Sequence, residues 1–279
     1  TTENVTIPAG KNITLNTNSK TITGVLTNNG TVTITGSGTI SVAAAYTFVN
    51  NATATLQSGT INSNGSWSLY NKGTFTMTGG NISSTSSVAV INNKTFNMSA
   101  GTLNGGGGYA LVTRGSNAVS TVTGGTIKNT STSTYAAQTD DSGSLYIKNT
   151  TISSSKYAVA LASNSSYGKT VRLIDCNISG TVVNNTTNPL TEVLRTSTGY
   201  NIYYYDTISS VSAVQFPTWT TYNGQDDIVW HQGQVGTRNG SRCFWYGVQK
   251  SEHKNETGEY TTHVYVDNVS KDAITYIVK

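Results

Sequence analysis

Cleaving a glycosidic bond by hydrolysis takes two carboxylates flanking it, and a calcium-dependent lyase takes several carboxylates plus a basic group. Up to Ser197 the chain offers only Glu3, Asp140, Asp141, Asp175 and Glu192, and no histidine. Glu3 and Glu192 stand at opposite ends of that stretch. Asp140 and Asp141 are adjacent, so on a strand they face opposite ways, and within TDDSG they read as a turn. A set such as Asp141, Asp175 and Arg172 could converge. General acid–base candidates are too few for a catalytic assignment, and no catalytic residue is named. The histidines, His231, His253 and His263, all come later and lack ligand spacing such as HxxxH. The two cysteines, Cys176 and Cys243, form no CxxC motif. No metal site and no cofactor is therefore expected. The cysteines either form one bridge between the two halves of the chain or remain free.

The residues around these sparse acids set their spacing. Charged residues make up 11% of the 279-residue chain, well below a typical soluble domain, and Thr, Ser, Asn and Gly take their place. Thr and the β-branched apolar residues favour strands while Asn and Gly favour tight turns, so the expected class is all-β. The net charge of +4 divides into 11 Lys and Arg against 5 Asp and Glu up to Ser197, and 6 against 8 from Thr198 onward. The basic residues are scattered singly, which argues against nucleic acid as a partner. No apolar run approaches the length of a membrane span. The chain opens on TTENVTIPAG with no leader, as expected for a mature form or an excised fragment.

One phrase recurs. TATLQSGTI, TFTMTGGNI, TFNMSAGTL and VSTVTGGTI end on Ile61, Ile82, Leu103 and Ile127, and the series extends through Ile40, Ile152 and Ile178. The step between anchors is constant from Ile40 to Leu103 and lengthens slightly after that. A fixed period of about 20 residues or more marks a solenoid, whose coils bury their faces against one another. Alternation within each coil has period two, so the pieces are strands. On the strand before each anchor come Leu56, Met77, Met98, Val122, Ile147 and Leu173; two positions earlier stand Ala54, Phe75, Phe96, Ser120, Leu145 and Val171. After the anchors, parity assigns inward positions to Phe48, Leu69, Val90 and Leu111, and also to Tyr46, Trp67, Val88 and Tyr109. Asn28, Asn50, Asn71 and Asn92 fall inward at a corner, where stacked amides can hydrogen-bond along the axis. Val49, Tyr70, Ile91 and Val112 face outward as an apolar stripe, the candidate ligand-binding face. Threonines at Thr31, Thr33, Thr53, Thr55, Thr74 and Thr76 face outward on the strand before each anchor.

Three short strands in every coil make a parallel β-helix, and the pattern resembles the right-handed pectin-lyase-like solenoids in general shape. That resemblance implies a right-handed coil, and it brings polysaccharide lyases and hydrolases into view. The repeat fades near Thr187 to Leu194, giving expected domains of 1–197 and 198–279.

The second segment has short alternating strands (VSAVQF, DIVWH, CFWYGV, THVYV, AITYIV) between Gly, Asn and Asp turns, as in a small Ig-like β-sandwich. Its residues Phe216, Pro217 and Trp219, then Asn223, Gly224, Gln225, Asp226 and Asp227, then Trp230, and finally Gly258, Tyr260, His263 and Tyr265 closely resemble the group B streptococcal Bsp-like repeat. His231 departs from that pattern, which has Tyr after the Trp. Tyr260 is placed like a corner tyrosine, Asp226 and Asp227 like acceptors for loop amides, and Trp230 like a core residue of its strand. The resemblance implies an extracellular, wall-associated setting in a Gram-positive bacterium. The expected protein is a monomeric fragment of a larger surface protein. It is a non-catalytic adhesin whose rod contacts a host protein or glycan, with a polysaccharide-active enzyme and a plain spacer as alternatives.

Overall fold

Residues that alternate with period two and stop at Gly or Asn every few positions cannot form a long strand, so the chain turns a corner and starts again. In the computed structural model, which describes residues 3–43, 46–140, 142–162, 170–222 and 224–279, those short strands wind into a parallel β-solenoid. Each coil contributes to three sheets. Among the described residues the first sheet has nine parallel strands, from Asn12–Asn16 through Thr74–Met77 to Leu190–Arg195. The second runs from Thr21–Thr23 to the start of Asn177–Asn184, and the third from Val5–Ile7 to that strand's end. Second and third sheets merge in the last coils, where the strand Thr151–Leu161 passes straight through the corner.

The register follows the repeat. Ile61, Ile82, Leu103 and Ile127 pair in series across the second sheet, and Ala54, Phe75, Phe96 and Ser120 across the first. All eight are fully buried. Phe75 stacks on Phe96 at 5.8 Å, so identical residues fall on one another once per coil. The turn between first and second sheets is held by glycine. Gly80 has φ +78°, and a Cβ there would come within 2.7 Å of the Gly59 carbonyl oxygen one coil below.

The asparagine ladder forms as expected. The Nδ2 of Asn28 donates to Asn50 Oδ1, that of Asn50 to Asn71 and that of Asn71 to Asn92, each at 2.8 Å. The same Nδ2 atoms also donate to turn carbonyls, such as Gly73 and Thr95 for Asn71. The column ends where Asn92 donates to Ser120 Oγ, because Thr113 holds the next register position.

One parity assignment is corrected. Tyr46, Trp67, Val88 and Tyr109 point out of the solenoid, not into it. The residues that follow them, Thr47, Ser68, Ala89 and Ala110, are fully buried, as are Phe48, Leu69, Val90 and Leu111 after those. Two consecutive inward residues break the alternation at the corner and leave the preceding ring outside. Small side chains suit the cramped inward slot, and the Thr47 hydroxyl donates to the Asn62 carbonyl across it at 2.8 Å.

The strand Leu190–Arg195 is parallel to its solenoid neighbour and antiparallel to Gly199–Tyr205, which pairs in turn with Ser241–Gln249 and then Gln234–Arg238. This extension packs on a four-stranded antiparallel sheet of Val229–Gln232, Val214–Thr220, Gly258–Val266 and Val269–Val278. Two antiparallel layers around Ile202, Tyr204, Phe216, Phe244, Tyr260 and Val264 fit a small sandwich. Val193, on the last solenoid strand, belongs to this second core. Among the described residues no helix is long and apolar enough to cross a membrane.

Candidate functional site

The outer face of the third sheet gathers aromatic rings coil after coil. Parallel pairing stacks residues of equal rank about 4.8 Å apart. Tyr46 and Trp67 meet at 5.2 Å between centroids, Tyr109 and Tyr135 at 6.4 Å, and Tyr135 and Tyr157 at 5.3 Å. The parallel column, further along each strand, holds Val49, Tyr70, Ile91 and Val112 in register. Tyr70 joins the two columns, lying 5.4 Å from Tyr46 and 5.3 Å from Trp67. Lys72 Nζ sits 4.6 Å above the Tyr70 ring and Lys156 Nζ 4.7 Å above Tyr157, placing cations at the edges of the ladder.

The stripe expected to be exposed is only partly so. Val49 and Tyr70 are half-buried, but Ile91 and Val112 are 2% and 3% exposed. They pack with Val88 in a cluster separate from the solenoid core, against Trp67, Tyr70 and Tyr109. The accessible surface is therefore the aromatic ladder, with Ile91 and Val112 as its foundation. The sequence signal for this ladder was the small residue after each ladder position, at Thr47, Ser68, Ala89, Ala110, Ala136 and Ala158, which marks the true inward slot.

Two carboxylates of the solenoid, Asp175 and Glu192, bind the two halves together. Asp175 accepts from the Tyr276 hydroxyl at 2.9 Å and from the Arg195 amide at 2.9 Å, and nearby Arg172 pairs with Asp272. Glu192 is fully buried, yet it receives Arg238 Nη2 at 3.0 Å, Tyr205 Oη at 2.5 Å and Asn239 Nδ2 at 3.2 Å. These contacts satisfy an otherwise costly buried charge. Asp141, the third residue of the set that could converge with Arg172 and Asp175, lies outside the described residues. Cys176 and Cys243 are free and buried within the solenoid core. Burial pushes their thiols up to about 12 and about 11, so both stay protonated and inert at neutral pH.

In the C-terminal module the motif residues divide between core and surface. Phe216 and Tyr260 are fully buried, and the Tyr260 hydroxyl donates to the Glu256 carbonyl at 2.8 Å, as a corner tyrosine does. Asp227 accepts the Thr220 amide at 3.0 Å, while Asp226 forms an exposed pair with Lys254. Gly224 adopts φ +77° in an open turn beside exposed Gln225, and Asn223 lies outside the described residues. Trp230 is corrected: it is 54% exposed, because alternation along Val229–Gln232 turns His231 inward. On the outer face Trp230 meets Tyr265 at 5.2 Å, and Trp219 meets His263 at 4.9 Å. Inside, two histidines far apart in sequence come together. His231 and His253 have ring centroids 6.0 Å apart, and burial pushes the His231 imidazole below its usual value.

The family model of the GBS Bsp-like repeat matches residues 193–278, and that of the G8 domain matches residues 1–114. No curated protein and no solved structure matches the chain. The Bsp-like match begins at Val193, the first residue of the sandwich core contributed by the solenoid strand. The chain is thus a parallel β-solenoid whose end carries, over residues 193–278, a segment that matches the GBS Bsp-like repeat.

Proposed function

We propose that this chain is a non-catalytic extracellular binding fragment, displayed on a Gram-positive surface, whose solenoid holds a glycan along the third-sheet ladder. The observation that carries this reading is the aromatic column of Tyr46 and Trp67, then Tyr109, Tyr135 and Tyr157 beyond Val88, with neighbouring rings 5.2 to 6.4 Å apart where they touch. That spacing is close to the length of one sugar unit in an extended chain, so pyranoses can meet two rings before the Val88 coil and three after it. Aromatic faces bind the C–H face of a sugar with little loss of side-chain entropy, and flanking Lys72 and Lys156 suit an acidic or hydroxyl-rich ligand. The match to two domain families and the low charge are in keeping with an extracellular rod. Support for a non-catalytic role comes from Asp175 and Glu192, which are committed to the junction.

The test is a glycan array followed by titration of the best ligand. Trp67→Ala with Tyr70→Ala is expected to weaken binding at least ~10-fold, the effect of losing a ring contact worth about 1.4 kcal/mol. Thr76→Ala, on the first sheet, is expected to leave it unchanged. Binding by a protein but no glycan would transfer the ladder to a protein partner. Release of reducing or unsaturated ends from any polysaccharide would establish an enzyme and end the non-catalytic reading.

A further inference from the structure

The sandwich interior holds a group of polar atoms that its packing does not account for. His231 is 4% exposed and His253 fully buried, and the Nε2 of each is buried with no hydrogen-bond partner in the protein. A buried ring nitrogen without a partner costs free energy, so one such atom calls for an explanation and two in neighbouring rings call for a common one.

The surroundings fix the chemistry of the rings. His253 Nδ1 lies 3.1 Å from Asp227 Oδ2 and 3.2 Å from the Asp227 carbonyl oxygen. Both neighbours are acceptors, so Nδ1 carries the proton. A second proton on Nε2 would be a buried donor with nothing to accept it, so Nε2 presents a lone pair. A carboxylate holding the far nitrogen of a histidine is the arrangement that orients and enriches a metal ligand. His231 is held flat against Tyr246, with centroids 4.1 Å apart and planes 16° from parallel. Glu252 is steered from behind: its Oε1 accepts the Tyr246 hydroxyl at 2.7 Å and its Oε2 the Gln249 amide at 2.8 Å, leaving further lone pairs on both oxygens. One donor atom each from His231, Glu252 and His253 lies within 4.8 Å of the others.

We propose that His231, Glu252 and His253 form a binding site for one divalent transition-metal ion of the Zn²⁺ type. Two imidazoles and one carboxylate are a ligand set such an ion takes, whereas Ca²⁺ and Mg²⁺ demand mostly oxygen. Tetrahedral bonds of about 2.0–2.1 Å hold ligand atoms about 3.3–3.4 Å apart, so donors up to 4.8 Å apart close by at most about 1.5 Å when the ion is bound, through side-chain rotations of all three residues. The ion's work is structural. His231 lies on Val229–Gln232, in the four-stranded sheet, while Glu252 and His253 follow Ser241–Gln249, in the sheet that continues from the solenoid. The ion therefore staples the two layers of the sandwich, and Asp227 of the NGQDD turn is its positioning residue. Sequence spacing hid the site because His231 and the Glu252–His253 pair come from different sheets, with the whole of Ser241–Gln249 between them.

The full 279-residue chain, stripped with a chelator, is titrated with Zn²⁺ and separately with Co²⁺. The expected results are binding of one equivalent, a rise in Tm, and visible d–d absorption from Co²⁺ in a low-coordinate nitrogen–oxygen site. His231→Phe keeps the ring stacked on Tyr246 and is expected to lose the Co²⁺ band and the Tm rise while keeping its β-type circular dichroism. If that variant does not fold, Glu252→Gln is read for the same losses. Asp227→Asn is expected to weaken Zn²⁺ about 10–100-fold with the band retained, the signature of positioning. A wild-type chain with neither Tm rise nor Co²⁺ band overturns the site, and so does a folded His231→Phe chain that binds as the wild type does.

Discussion

A single amide in the corner ladder serves several backbone groups at once. Asn71 receives from Asn50, accepts the Gly73 amide at 3.3 Å, and donates to Asn92, Gly73 and Thr95. Alanine there strips partners from turn groups that remain buried, each worth about 1–3 kcal/mol when unsatisfied. Asn71→Ala is therefore expected to lower the unfolding free energy by about 3 kcal/mol in a urea titration. Asn51→Ala provides the comparison. Asn51 also pairs with an asparagine one coil away, Asn29 at 2.8 Å, but both are exposed, and the change is expected to stay within about 0.5 kcal/mol. Equal losses at the two positions would mean that the ladder is incidental. The same contrast explains why the ladder was legible early: four asparagines at equal rank, inward by parity, have few other uses. Trp230 was not legible, because a tryptophan reads as core on composition alone. Its actual side depends on which of two adjacent residues the sheet turns inward.

At the scale of one coil, the element that sets the path is the glycine turn between the first and second sheets. Gly59, Gly80, Gly101 and Gly125 all take positive φ at the same place in successive coils. For any other L-residue that conformation costs about 1–2 kcal/mol before contacts are counted. At Gly80 a methyl group would also strike the neighbouring coil's backbone, which cannot yield without moving the stack. Gly80→Ala is expected to destabilise the solenoid by more than about 2 kcal/mol. Gly107→Ala is expected to be close to neutral, since its nearest prospective contact is 3.7 Å away. Thermal melts followed by circular dichroism compare the two, and a neutral Gly80→Ala would show that the turn tolerates a side chain. The third-sheet corner shows the converse. There the chain doubles its inward residues instead of using a glycine, and strict alternation placed Tyr46, Trp67, Val88 and Tyr109 on the wrong side. The outward ladder, and with it the candidate binding face, follows from that one irregularity repeated coil after coil.

Across the whole molecule, the two segments share a sheet. The strand Leu190–Arg195 is the last parallel strand of one and pairs with the first antiparallel strand of the other. Arg172, Asp175 and Glu192 on the solenoid side meet Asp272, Tyr276 and Arg238 on the module side. Asp272 is buried, whereas Arg172 is about one-third exposed, so part of the pair's strength is lost to solvent. Asp272→Ala is expected to destabilise the module by about 2 kcal/mol, less than the loss of a fully buried pair. Wild-type unfolding is expected to give coincident curves by circular dichroism, dominated by the solenoid, and by fluorescence, since three of the four tryptophans follow Ser197. In Asp272→Ala the fluorescence transition is expected to move to lower denaturant ahead of the other. Separate transitions in the wild type would show that the shared sheet does not couple the halves.

The repeat, the all-β class, the core residues of the first and second sheets and the asparagine ladder were readable from the chain, because a solenoid repeats one local rule and each coil restates it. The Bsp-like module was readable for a related reason: Phe216, Trp219, Asp227 and Tyr260 lie in short, contiguous motifs. What could not be read is whatever depends on residues distant in sequence or on a broken alternation. The outward ladder needed the corner geometry, which period-two counting cannot contain. The meeting of His231 with Glu252 and His253 needed two sheets to pack, and no spacing along one strand encodes the gap between two layers. The engagement of Asp175 and Glu192 in the junction likewise emerged only when residues up to 101 positions apart were brought into contact.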